Sequence, residues 1–91
     1  MEFMATRNAW RLADIDVGRK EKAPQIADRI REAVAAGVWR PAERLPSLGE
    51  IARRYGVSRT TVMVAMRALE DDGVVRLAEP VHAGYFVRGA A

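Results

Sequence analysis

Arg53, Arg54, Arg59 and Arg67 stand in a stretch that holds no Asp or Glu between Ile51 and Leu69. A guanidinium is always charged and carries its donors in a rigid fork, which suits phosphate oxygens and the O6/N7 edge of guanine. Ser58, Thr60 and Thr61 surround Arg59 with hydroxyls, groups that reach phosphates or base edges. The chemistry these types offer is recognition of a polyanion, best matched by a DNA duplex, and not catalysis. There is one histidine and no cysteine, and no glycine-rich phosphate loop is present. The acidic run Glu70-Asp71-Asp72 sits at a helix end, where solvation accounts for it. We expect no enzyme activity, no cofactor and no metal site.

These residues need elements to hold them. Pro24 suits the first turn of a helix, where its missing N–H is not required. Ile26, Ile30, Ala33 and Val34 then follow at steps of three and four, which makes one apolar stripe. Gly37 supplies a stop. Trp39-Arg40-Pro41 is a connector with Trp39 on the core. Ser47 and Glu50 form a Ser-x-x-Glu capping box, and Leu48, Ile51, Ala52 and Tyr55 give the next helix its apolar side up to Gly56. Ser58 caps a further helix only two residues later, the spacing of a helix-turn-helix.

In that third helix, residues 58–72, Val62, Ala65, Met66 and Leu69 share the core face. Arg59, Thr60, Met63, Val64 and Arg67 are expected toward the other side. Val74 to Leu77 and Tyr85 to Arg88 are short β-prone runs around a Pro- and Gly-containing loop. The fold class read from this pattern is mainly α with a small β-hairpin. It is a winged helix-turn-helix of three helices and a two- to three-stranded wing. Residues 1–22 form a partly flexible lead-in segment, residues 23–88 the domain and residues 89–91 a tail. Within the lead-in, Trp10, Leu12, Ile15 and Val17 are spaced by two, as a short extended segment would have them. Gly18 to Lys22 reads as a solvated turn.

The 91 residues allow one domain with one modest core and no separate small-molecule effector domain. The net charge of +3 leans toward anionic partners. Without cysteine, a disulfide framework and thiolate metal sites are excluded. No apolar run reaches bilayer length and no signal-peptide pattern opens the chain, so no membrane partner is expected and the cytoplasm is the default compartment.

The ordered motifs resemble the amino-terminal winged-helix domain of the GntR family of bacterial transcription regulators. They are Ile26 to Arg31, then Arg44-Leu45-Pro46-Ser47, Tyr55 to Val62, and Ala68-Leu69-Glu70 with Gly73-Val74-Val75. The resemblance implies a sequence-specific regulator that binds double-stranded DNA with the third helix in the major groove. On that reading Arg59 meets a guanine, and Thr60 a base or a thymine methyl. Ser58 and the helix start at Ser47 meet phosphates. Thr61 and Arg67 complete the helix surface, and His82 and Gly84 near the wing tip lie along the backbone or minor groove.

Four departures stand out. Pro41-Ala42 replaces the usual Pro-Gly. Leu48-Gly49 replaces Glu followed by Arg or another polar residue. Met63 stands where many members place a base-reading arginine, so only apolar contact is available there. The wing tip reads Val81-His82-Ala83-Gly84-Tyr85. Family members normally continue into a larger effector-binding and dimerising domain, whereas this chain stops at Ala91. A homodimer on a palindromic or repeated site is expected, with the lead-in segment as one candidate contact. The alternative is a winged-helix protein-interaction module, with Met63 and Val64 as its patch.

Overall fold

A computed structural model describes residues 9–79 and 84–88. Helix α1 runs Lys22–Ala35, with Pro24 inside its first turn. Its buried residues Ile26, Ala27, Ile30 and Ala33 recur at helical spacing and make the stripe that meets the third helix. Ala36 N–H donates to the Glu32 carbonyl and Gly37 N–H to that of Val34, which ends the helix.

Helix α2 spans Leu48–Tyr55 and α3 spans Arg59–Asp71. Both starts are fixed by side chains. Ser47 Oγ accepts from Glu50 N–H at 3.1 Å, while Ser47 N–H donates to Glu50 Oε1 at 2.7 Å. The capping box is complete. At α3, Ser58 Oγ accepts from Thr61 N–H at 3.1 Å. Caps of this kind contribute ~1 kcal/mol each. Between the helices Gly56 sits at φ +68, in the left-handed region, which reverses the chain in two residues.

Strands β1 (Val75–Leu77) and β2 (Tyr85–Val87) pair antiparallel, with Val75 opposite Val87 and Leu77 opposite Tyr85. The segment before α2 adds a third rung to the far edge of β2. Arg44 bridges Phe86, Leu45 N–H donates to the Tyr85 carbonyl, and Ala42 N–H donates to that of Val87. The expected two- to three-stranded wing is thus two strands and a bridge. Ala42, where the family prefers glycine, holds φ +70, a conformation that costs an L-residue about 1–2 kcal/mol.

One core joins the parts. Trp39, Leu45, Ile51, Val62, Met66, Leu69 and Val75 are all buried within it, each large side chain contributing ~1.5–3 kcal/mol of transfer free energy. Among the described residues no helix is long and apolar enough to cross a membrane.

The N-terminal segment differs from the period-two reading. Ala9–Arg11 form a single 3-10 turn, closed by Leu12 N–H on the Ala9 carbonyl. The turn rotates Trp10 away from Leu12, so Leu12 is buried while Trp10 is 64% exposed. Trp10 therefore does not share a face with Leu12, as an extended segment with that spacing would require. Ile15 packs against the core and Val17 is exposed. Gln25 holds the segment: its Oε1 accepts from Asp16 N–H at 2.7 Å, and its Nε2 donates to the Asp16 carbonyl at 3.1 Å.

Candidate nucleic-acid interface

The helix-turn-helix and the hairpin meet around a groove of about 500 Å³. The start of α2 supplies Ser47, Leu48 and Gly49, and α3 supplies Arg59, Met63, Arg67 and Glu70. The hairpin side supplies Arg44, Leu77, Gly84 and Tyr85. Arg59, Met63, Arg67 and Glu70 follow at steps of four and three, one stripe down α3 opposite its core face.

Charge sets this groove apart. Among the described residues Arg44, Arg59 and Arg67 form no ion pair. Glu70 lines the same groove yet is bridged to none of them. An arginine without a carboxylate keeps its donors for another acceptor. At the groove floor, burial raises the Tyr85 hydroxyl above its usual pKa; Glu70 adds to the rise and Arg67 opposes it.

Two glycines shape the arginines' positions. A Cβ built on Gly49 would lie 2.8 Å from Arg59 Nη2, so the guanidinium rests on the first turn of α2. A Cβ on Gly84 would lie 3.2 Å from Arg44 Nε. Gly84 also has φ +95, so both backbone and neighbour favour glycine there.

The structure gathers Ser47, Arg59, Met63, Arg67 and Gly84 into this groove. Ser58 and Thr61 stand beside it with their hydroxyls 3.0 Å apart, hydrogen-bonded to each other as part of the cap. Thr60 is exposed. His82 lies outside the described residues. Met63 and Val64 do not share a face. Met63 lines the groove, whereas Val64 borders a small apolar recess against Ala23, Pro24 and Ala27 of α1. Consecutive helical residues point about 100° apart, which carries the two to opposite neighbours.

Arg54 does not line the groove. Its Nη2 donates to the Leu12 carbonyl at 2.6 Å and to Asp14 Oδ1 at 2.7 Å, and it lies over the Tyr55 ring. Arg53 is exposed, without an ion pair among the described residues, one turn beyond Gly49. Sequence reasoning missed Arg44 as a groove residue. The signal was alternation: Leu45 is buried beside β2, so its neighbour Arg44 must point outward.

Three helices, a tight turn after the second and a hairpin after the third define a winged helix-turn-helix. The chain belongs to the gntR family of bacterial regulatory proteins, whose profile matches residues 22–81. This is a family of DNA-binding transcription regulators. Among solved structures the chain resembles YtrA from Sulfolobus acidocaldarius, a GntR-family transcription factor, with TM-score 0.76 and 33% identity over 88% of this chain and 83% of that one. It also resembles the AraR DNA-binding domain in complex with operator ORE1, with TM-score 0.68 and 27% identity over 72% and 78% of the two chains.

Among curated relatives, the uncharacterized HTH-type transcriptional regulator YdcR of Escherichia coli K12 is 40% identical over 67 residues, 74% of this chain and 14% of that protein. The repressor MngR of the mannosyl-D-glycerate transport and metabolism system, also from Escherichia coli K12, is 41% identical over 59 residues, 65% of this chain and 25% of that protein. The chain thus spans a quarter or less of the length of these curated relatives.

Proposed function

We propose that the chain binds double-stranded DNA sequence-specifically as a transcription regulator, with α3 in the major groove and the hairpin beside it. The observation that carries this reading is the trio Arg44, Arg59 and Arg67. They surround one groove at the helix-turn-helix, and none is neutralised by a described carboxylate. Arg59, first in α3, donates two hydrogen bonds to a guanine edge. Thr60 touches a neighbouring base, and Met63 packs on a thymine methyl. Arg67 and Arg44 attract phosphates from either side. Ser47, Ser58 and Thr61 meet the backbone near the two helix starts, where dipoles favour an anion. Gly84 and His82 bring the wing to the adjacent backbone.

The chain acts as a symmetric homodimer, because one recognition helix covers few base pairs and pairing multiplies affinity through effective concentration. Its role is recognition without catalysis. Its place is the cytoplasm.

Selecting bound duplexes from a random pool, then retesting the winners at low and near-physiological salt, tests this. A symmetric or repeated motif with steep salt dependence is expected. Absence of any enriched motif would overturn it. The rival reading, a protein-interaction module, draws on the exposed Val64 beside its apolar recess. Binding of that kind should barely respond to salt.

A further inference from the structure

Gly49 is the second helical residue of α2, one place before Glu50 of the capping box. Glycine is among the poorest helix formers, so a reason for it is needed. The backbone does not supply one, because Gly49 is absent from the residues at positive φ. The neighbour does. Cβ at this position would meet Arg59 Nη2 at 2.8 Å, Nε at 3.2 Å and Cζ at 3.3 Å. All three atoms belong to one guanidinium, which lies in the space a side chain would fill.

Arg59 makes no ion pair among the described residues, so no carboxylate holds the group there. Met63, one turn on, lines the same groove and has no donor. At the start of α3, where base edges are met first, the direction of this guanidinium then sets which edge its donors face.

We infer that Gly49 is a specificity-determining residue, which aims Arg59 by leaving the first turn of α2 bare. This rests on the DNA-binding reading above. Any side chain at position 49 displaces the guanidinium from the first turn of α2, so it faces a different base edge. The displaced atoms are the far end of a flexible side chain, and the backbone has no need to move. Gly49→Ala should then keep the fold, with a melting temperature equal to or above that of the unchanged chain, since alanine is the better helix former.

The test compares the 91-residue chain with G49A, R59A and the double variant. Each is put through duplex selection and equilibrium binding at one salt concentration. G49A should bind the unchanged chain's motif about tenfold more weakly, the scale of one misplaced bidentate contact. It should also select a motif altered at one or two positions. In the R59A background the same substitution should change affinity by less than about twofold, because the group it displaces is gone. Three results would overturn the inference. They are an unaltered motif and affinity in G49A, an equal loss with and without Arg59, or a lowered melting temperature showing that the backbone requires glycine. If the unchanged chain enriches no motif, the DNA reading fails and this inference with it. An enriched motif indifferent to G49A removes the inference alone.

Discussion

On the side where α1 and the N-terminal segment pack, Arg29, Arg31 and Arg54 each touch a carboxylate. Around the groove Arg44, Arg59 and Arg67 touch none among the described residues. The two sets share one chemistry and differ in what surrounds them. Arg29 grips Glu32 at 2.6 Å along one helix, and Arg31 joins Asp28 to Asp72 across two. Arg54 ties α2 to the chain forty residues before it. Arg31 and Arg54 tie separate parts of the chain together and Arg29 pairs within its own helix, whereas those in the groove meet no described carboxylate. Net charge could not have told the two uses apart.

The largest expected effect lies on the open side. Arg59→Ala should weaken binding to the selected duplex by about 1–3 kcal/mol and relax preference at one base position. Thermal stability should stay within about 0.5 kcal/mol. A uniform loss on every duplex would make Arg59 a phosphate contact, and a loss of stability would place it with the structural arginines.

Arg54→Ala should do the reverse. It removes two charged hydrogen bonds, one of them to an Asp14 side chain that is largely exposed. After discounting the exposed one, about 1–2 kcal/mol of stability should go. Binding by the folded fraction should be unchanged, as denaturation and titration of the same sample would show. A fall in duplex affinity without a fall in stability would move Arg54 to the DNA-facing set.

Tyr55 sharpens the same contrast through pH. Its hydroxyl donates to the Ala13 carbonyl at 2.7 Å, and burial pushes its pKa up to about 12, with Arg54 opposing the rise. The unfolded phenol ionises near 10, so the folded chain resists a deprotonation that the unfolded chain undergoes. This contribution is complete below about pH 10 and is lost as pH climbs toward 12. Melting temperature should fall across that window. Tyr55→Phe should flatten this part of the fall and lower stability at neutral pH by about 1 kcal/mol. An identical pH profile in the phenylalanine variant would remove Tyr55 as its source.

Much of the frame was legible because it is written locally. Ser47 with Glu50, and Gly56 with Ser58, announce the two helix starts and the turn within a few residues. The stripe Val62, Ala65, Met66 and Leu69 announces the buried face. What stayed hidden depends on distant partners. Asp14 shows nothing in its own neighbourhood that predicts Arg54, and the spacing of Trp10 to Leu12 misleads because one 3-10 turn breaks the period. Met63 and Val64 looked alike until α1 and the hairpin claimed opposite sides of α3. Gly49 read as a departure from a family pattern, and its meaning appears only when Arg59 is seen lying across it.

The smallest effect belongs to Arg31, and it probes how far the contrast holds. Its guanidinium bridges Asp28 and Asp72 at 2.8 and 2.7 Å, linking α1 to the end of α3. All three side chains are substantially exposed, so water and salt screen both pairs. Arg31→Ala should lower stability by about 0.2–1 kcal/mol at low salt, and the difference should shrink as salt is added. Duplex affinity should change little, since Arg31 lines the recess beside Val64 and not the groove. A drop in affinity that matched the loss of one phosphate contact, with the salt slope reduced by about one, would show that the DNA footprint reaches around α3 to α1. The two sets of arginines would then be one.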